Sequence, residues 1–103
     1  MSESARSDTR ASNLLELPEV LDLRAAAPLA SEFLARRGAE LRVDASRVRK
    51  LGGQCLQVLL SAAMTWKADE IDLSIGDPSS EFLAGLAMLG IAASDLVEQD
   101  PQP

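Results

Sequence analysis

The chain has 103 residues and not one of them is a histidine. It therefore lacks the commonest general base, the serine–histidine catalytic triad and the usual ligand of transition metals. Its single cysteine, Cys55, excludes an intramolecular disulfide and a cysteine-based zinc site. Because Cys55 lies in an apolar run, we expect a small buried side chain rather than a reactive thiol. No metal site, no cofactor and no catalytic residue is predicted.

Positive charge is also scarce, with 10 Lys and Arg residues against 16 Asp and Glu, a net charge of −6. A nucleic-acid partner is not expected, because phosphate binding needs a basic face. The segment from Met1 to Asn13 is polar and has no apolar stretch of the kind found in signal peptides, and no run approaches the length of a membrane span. We therefore expect a cytoplasmic protein that does not insert into a membrane.

The length fits one small domain, and a hydrophobic content of 47% is enough to build its core. Residues 1–13 show no apolar periodicity and are predicted to form a disordered leader. Residues 98–103 are predicted to be a polar tail, which leaves residues 14–97 as the folded domain.

Apolar spacing predicts strands that alternate with helices. Short strands are expected at 14–17, 19–21, 40–44 and 71–75, and helices at Ala25–Arg37, at Gly53–Lys67 and from a cap at Asp77-Pro78 onward to Gly90. Strands joined through helices imply right-handed crossovers and largely parallel pairing. Strands with one apolar face imply helices mainly on one side of the sheet. The prediction is an α/β two-layer domain with a short mixed or mostly parallel sheet.

Each predicted helix has an expected buried face. The residues are Ala26, Leu29, Ala30, Phe33 and Leu34 in the first helix, Leu56, Leu59, Leu60 and Ala63 in the second, and Phe82, Leu83, Leu86 and Leu89 in the third. Pro28 is expected to be tolerated only if the first helix begins near Arg24 or later, because amides of the first turn lack partners within a helix.

Two groups of residues are candidates for a partner-binding surface. Arg47, Arg49 and Lys50 form the only dense basic cluster, which is either a solvated loop or a contact patch for an acidic partner. The polar residues Gln54, Gln57, Ser61 and Thr65 form one narrow uncharged stripe on the second helix. This stripe is either its solvent side or an interface that a partner covers, and we favour the interface.

Two further features have structural explanations. Gly52 and Gly53 precede the second helix without a phosphate-loop pattern, so a tight turn is favoured over an anion site at the helix end. Asp69, Glu70 and Asp72 lie at an expected turn and strand edge, where solvated charges are favoured over catalytic carboxylates.

The segment Leu41–Leu60, LRVDASRVRKLGGQCLQVLL, resembles a STAS domain of the anti-sigma-factor antagonist family. Asp44-Ala45-Ser46 is similar to the family's strand end, Leu51 to its hydrophobic position, and Leu56–Leu60 to its apolar helix. LDLRAAAPLASEF and PSSEFLAGLAMLGI are similar to the family's first and final helices, so the resemblance covers about residues 14–93. The resemblance implies a non-catalytic module that binds another protein.

The chain departs from the family where the switch serine would be. In STAS switches an Asp-Ser pair at the start of the helix carries the phosphorylated serine, and Gly52 and Gly53 stand at the corresponding positions. The resemblance therefore implies that no phosphoacceptor exists there. Ser46 and Ser61 are the nearest hydroxyls, and Ser46 is expected to brace the loop rather than to replace the acceptor.

The predicted interaction surface comprises Arg47, Arg49, Lys50, Gly52, Gly53, Gln54, Gln57 and Ser61. The resemblance is to variants in bacterial chemotaxis clusters, which implies a kinase or a receptor-array component as partner. The alternative is a cytoplasmic accessory subunit of a lipid-transport ABC system that docks on the transporter ATPase. A weak homodimer is a further possibility, and a minimal enzyme or nucleotide-binding protein is the least favoured hypothesis.

Overall fold

The computed structural model describes residues 13–96, so the predicted leader, apart from Asn13, and the predicted tail lie outside the described residues. In chain order the elements are β1 (Leu14–Glu16), β2 (Val20–Leu21), α1 (Leu23–Ala35), β3 (Leu41–Asp44), β4 (Lys50–Leu51), α2 (Gly53–Ala68), β5 (Leu73–Gly76), α3 (Ser80–Met88) and a short 3₁₀ helix (Ala93–Asp95).

The strands form two small parallel sheets. One has the order β1-β3-β5, and the other pairs β2 with β4. Leu15, Val43 and Ile75 are aligned across the first sheet on its buried face, whereas Arg42, one residue before Val43, is exposed. Helices α1 and α2 pack together, and the predicted α/β two-layer fold is confirmed. Every strand pair within residues 13–96 is parallel, so the mixed alternative is not observed there.

A single apolar core joins the sheet to the helices, and its fully buried side chains include Trp66 and Phe82. No buried residue of the described segment is polar or charged. Among residues 13–96, no helix combines the length and the apolar character that crossing a bilayer would require.

The first helix begins two residues earlier than predicted, at Leu23, and also ends two residues earlier. Asp22 caps it by accepting hydrogen bonds from the backbone N–H groups of Arg24 and Ala25, at 3.1 and 3.2 Å. Pro28 therefore lies beyond the first turn, contrary to the expectation, and the helix is continuous through it. The carbonyl of Arg24, which would accept the missing N–H, belongs to an exposed residue, so the loss of one hydrogen bond is tolerable.

Three apolar residues that were predicted to be buried are exposed. Leu34 is 72% exposed, because α1 turns only Leu29 and Phe33 fully into the core. Leu83 and Leu89 are also exposed, whereas Phe82 and Leu86 on the same helix are completely buried. A three- and four-residue spacing defines a stripe, but only contact with the sheet decides how wide the buried part of that stripe is.

The start of α3 was also predicted wrongly. Ser79, not Asp77, is the cap, since its hydroxyl accepts from the Phe82 N–H at 3.0 Å and donates to the Val48 carbonyl at 2.6 Å. Asp77 instead adopts a left-handed backbone with φ of 50°. At the far end Gly90 has φ of 81° and the Ile91 N–H returns to Leu86 O at 2.9 Å, a C-terminal motif that fits the predicted stop.

The burial pattern of α2 agrees with its predicted face. Leu56 and Leu59 are buried and Leu60 and Ala63 are partly buried against the core. On the opposite side Gln54, Gln57 and Ser61 are exposed, and Thr65 is half-buried. The prediction is therefore confirmed for Leu56, Leu59 and the exposed stripe, whereas Leu60 and Ala63 are only partly buried and the unpredicted Ala62 and Trp66 are buried.

Replacing Leu59 by alanine tests how far the fold depends on α2. Leu59 is 1% exposed, so Leu59→Ala should lower the free energy of unfolding by about 2–5 kcal/mol in chemical denaturation. Met64→Ala is the matched control on the same helix, because Met64 is 71% exposed and its truncation should cost less than about 0.5 kcal/mol. Equal losses in the two variants would contradict the burial of Leu59.

Candidate functional site

The predicted site residues fall on two adjoining surfaces. Arg47, Arg49 and Lys50 belong to the segment 45–51, called the basic turn below, at the carboxyl end of β3. Gln54, Gln57 and Ser61 lie farther along on the exposed side of α2. Gly52 and Gly53 join the two surfaces at the start of that helix.

Backbone hydrogen bonds and buried apolar side chains hold the basic turn in place. The Arg49 and Lys50 N–H groups donate to the Glu19 carbonyl oxygen at 2.7 and 3.1 Å, which brings Lys50–Leu51 into the strand β4 that the sequence had assigned to a loop. Its apolar members Ala45 and Val48 are completely buried. The backbone of the turn is therefore fixed by hydrogen bonds and by buried apolar side chains, and its charged side chains are exposed.

A hydrogen bond between Asp44 and Ser46 stabilises the start of the basic turn. The Asp44 carboxylate accepts a hydrogen bond of 2.9 Å from the Ser46 backbone N–H. This hydrogen bond is the main reason that the pKa of Asp44 lies below its usual range. Ser46 therefore braces the loop through its backbone, as expected, while the residue itself remains exposed.

The basic residues are not equivalent. The Arg47 guanidinium lies 3.7 Å from the Glu16 carboxylate on β1, so part of its charge is offset. For Arg49 and Lys50 no ion pair is found with any other side chain of the described segment. The positive charge of the turn is therefore carried mainly by these two residues.

At the start of α2, Gly52 is the N-cap and provides no side-chain hydrogen bond, while its own N–H donates to Leu21 O at 2.8 Å. A Cβ atom at Gly52 would lie 3.2 Å from that same oxygen, whereas a Cβ at Gly53 would meet nothing within 4 Å. The backbone of the turn therefore packs closely at Gly52 and is open at Gly53. Cys55 follows in the core, and burial raises the pKa of its thiol, as expected for an unreactive cysteine.

The polar stripe of α2 forms one wall of a groove of about 420 Å³, called the α1–α2 groove below. Its lining residues are Ala30, Phe33 and Leu34 from α1, Arg37 just beyond the end of that helix, and Gln54, Gln57, Val58, Ser61, Ala62, Thr65 and Trp66 from α2. None of them is acidic, although the chain has 16 Asp and Glu residues. The groove thus combines an apolar floor with a polar rim on which Arg37 is the one charged residue.

At the end of the groove near the C-terminus of α2, aromatic packing and one ion pair hold the ends of the two helices together. Phe33 and Trp66 meet edge to face with ring centroids 6.1 Å apart, and the Trp66 indole N–H donates to Ala39 O at 2.8 Å. Arg37 binds Asp69 through two hydrogen bonds of 2.9 and 3.1 Å. The Arg37 hydrogen bond lowers the pKa of Asp69 below its usual range, so Asp69 serves to join the helix ends.

Sequence reasoning identified the α2 wall but missed the α1 wall. Leu34 was assigned to the core because its spacing fits the buried stripe of α1. No local signal separated Leu34 from Phe33, because adjacent positions of a helix can both be buried, as Cys55 and Leu56 are in α2.

A second opening, of about 460 Å³, lies between β1 and α1. Its rim carries Glu16, Glu32 and Arg36, and the last two form an ion pair within one helix. In the described part of the chain no group of three or more His, Cys, Asp and Glu side chains is placed to hold a metal ion. The α1–α2 groove, whose lining includes one charged residue, Arg37, is the better candidate for a protein partner.

Comparison with known families gives a match over most of the chain. A family model described as "Mlab, STAS domain" covers residues 4–98, which is nearly the whole chain. The match includes most of the segment that was predicted to be a leader. No curated protein and no solved structure matches the chain.

Proposed function

The chain belongs to the STAS domain family, and we propose that it is a non-catalytic module that binds another protein through the α1–α2 groove and the basic turn. STAS domains are generally non-catalytic binding modules, and their typical role is protein–protein interaction. The observation that carries the proposal is the groove itself, which is apolar at its base, lined by no acidic residue and includes the exposed side chain of Leu34.

An exposed apolar surface of this kind is more stable when a partner protein covers it and removes it from water. Leu34 is more than two-thirds exposed, and it lines a concave surface rather than standing as an isolated residue. Interface cores are depleted in charged residues and enriched in apolar ones, and the groove has this composition. Nothing comparable supports an enzyme, because the groove brings together no nucleophile, general base and orienting group.

For the cellular setting we propose a cytoplasmic role in bacterial signalling, similar to that of anti-sigma-factor antagonists. The sequence resemblance points to chemotaxis, with a kinase or receptor-array component as partner. The description of the matching family does not mention chemotaxis, so this placement rests on the resemblance alone. The alternative setting is a lipid-transport ABC system, in which the partner would be the transporter ATPase. Identifying the protein retained by the purified chain would distinguish the two settings.

A substitution in the groove tests the proposed surface. Ser61 is exposed on the α2 wall, so Ser61→Arg places a long charged side chain across the groove without disturbing the core. We expect recovery of the native partner in a pull-down to fall about tenfold or more. Ser31→Arg is the matched control, because Ser31 is also exposed on a helix but does not line the groove. Equal recovery with both variants would place the interface elsewhere.

A second test concerns regulation at the start of α2. We propose that partner binding is not switched by phosphorylation there, because Gly53 offers no hydroxyl. Gly53→Asp should fold, since a Cβ at this position meets no neighbour and the helix dipole favours a carboxylate by up to about 1 kcal/mol. Partner affinity should fall, because burying an unpaired carboxylate costs about 3–5 kcal/mol.

Gly53→Asn is the uncharged control and should retain most of the affinity, with circular dichroism showing that both variants are folded. Equal affinity of Gly53→Asp and wild type would exclude the turn from the interface. Phosphorylation of the wild-type chain at Ser46 or Ser61 that abolished binding would contradict the absence of a switch.

A further inference from the structure

The α1–α2 groove has one positive end. Only Gly52 separates Gly53, the first residue of α2, from β4 (Lys50–Leu51), and the lining of the groove begins at the next residue, Gln54, so the groove begins near the basic turn. The helix N-terminus there has no side-chain cap, and its exposed N–H groups add partial positive charge. At the other end Arg37 is engaged by Asp69, and the C-terminus of α2 carries the negative end of the helix dipole. Lys67 in the last turn of α2 offsets part of that negative end, so the asymmetry along α2 rests on Arg49 and Lys50 at one end against Lys67 at the other.

The dimensions of the groove suit the side chains of a helix. It follows α2 from Gln54 to Trp66, about 18 Å at a rise of about 1.5 Å per residue, which is roughly three helical turns. Its walls are two helices, which is the geometry in which an amphipathic helix inserts apolar side chains at a spacing of three or four residues. A volume of about 420 Å³ accommodates such anchors but not a folded domain.

The chain itself offers no suitable occupant. Residues 1–12 have no apolar periodicity, and the last residues are polar and contain two prolines, so neither segment can supply an apolar helical stripe. A second copy would bring another net charge of −6 to an acidic molecule, which opposes self-association. The charge of the groove favours a different partner, with acidic residues near its apolar stripe.

We propose that the occupant is an amphipathic helix of the partner protein, with apolar side chains in the α1–α2 groove and acidic residues at the end that lies over Arg49 and Lys50. This inference rests on the proposed function and specifies the chemistry of the partner. The apolar anchors provide the buried area, and the acidic residues fix the direction of the helix and speed its association.

Three synthetic peptides of about 16 residues, sharing one leucine stripe, test the proposal with the full chain. One carries a glutamate block at its N-terminus, one carries that block at its C-terminus, and one carries lysines instead. Binding is measured by anisotropy of the labelled peptides and by the nuclear magnetic resonance signals of the Gln54 and Gln57 side-chain amides, which are exposed and line the groove. One acidic peptide should bind about tenfold or more tightly than the lysine peptide and should shift the Gln54 and Gln57 signals.

The double variant Arg49→Glu, Lys50→Glu should lose this preference. Both side chains are exposed, and the hydrogen bonds that hold the turn come from their backbone, so the fold should persist. If the variant does not fold, Arg49→Gln, Lys50→Gln removes the charge without reversing it and should reduce the preference. Lys67→Glu is the control at the opposite end of α2, also exposed and outside the groove lining, and should keep the preference.

The proposal is overturned if the lysine peptide binds as tightly as both acidic ones, if the preference survives in the turn variants, or if no peptide binds. It is also overturned if binding leaves the Gln54 and Gln57 signals unchanged. These outcomes concern only the occupant, because the pull-down with Ser61→Arg assesses the proposed function independently of any peptide.

Discussion

The contact between Phe33 and Trp66 is the interaction on which the candidate surface depends. It sets α1 against α2, and the indole hydrogen bond to Ala39 ties the end of α2 to the chain that leaves α1. An edge-to-face aromatic pair contributes about 0.5–1.5 kcal/mol beyond the burial of its area, and a buried indole N–H without an acceptor would cost more than that. The groove lies between these two helices, so the distance between α1 and α2 sets its width.

The parallel sheet explains why the basic turn adjoins this groove. In a parallel arrangement every strand ends at the same edge, and each helix begins there. Asp22, Gly52 and Ser79 occupy the three helix starts, and two of them supply a side-chain cap. The third is the uncapped start of α2, next to Arg49 and Lys50. Arg47, Arg49 and Lys50 thus lie at one edge of the sheet, which also carries the acidic residues Glu16, Asp22 and Asp44.

Much of this arrangement could be predicted from the sequence. The alternation of strands and helices, the two-layer class and the burial of Leu56 and Leu59 follow from apolar spacing, which reports the face that an element buries. The exposed stripe of Gln54, Gln57 and Ser61 could be predicted for the same reason, since it is the complement of the buried face.

What could not be predicted depends on contacts between distant segments. Val20–Leu21 and Lys50–Leu51 pair as strands only because the Glu19 carbonyl accepts from the basic turn, a contact that local spacing does not report. Ser79 displaces Asp77 as a helix cap because its hydroxyl can also reach Val48. The α1 wall was missed because Leu34 has the spacing of a core residue, and only the position of α2 leaves it exposed.

The side-chain amides offer the most direct view of the surface. The chain contains one asparagine, Asn13, and four glutamines, of which Gln54 and Gln57 line the groove, so a nuclear magnetic resonance spectrum of these groups has few signals. In the complex of the isotope-labelled chain with its native partner, the Gln54 and Gln57 signals should shift while that of Asn13, before β1, stays in place. Unchanged Gln54 and Gln57 signals in a formed complex would contradict the groove as the binding surface.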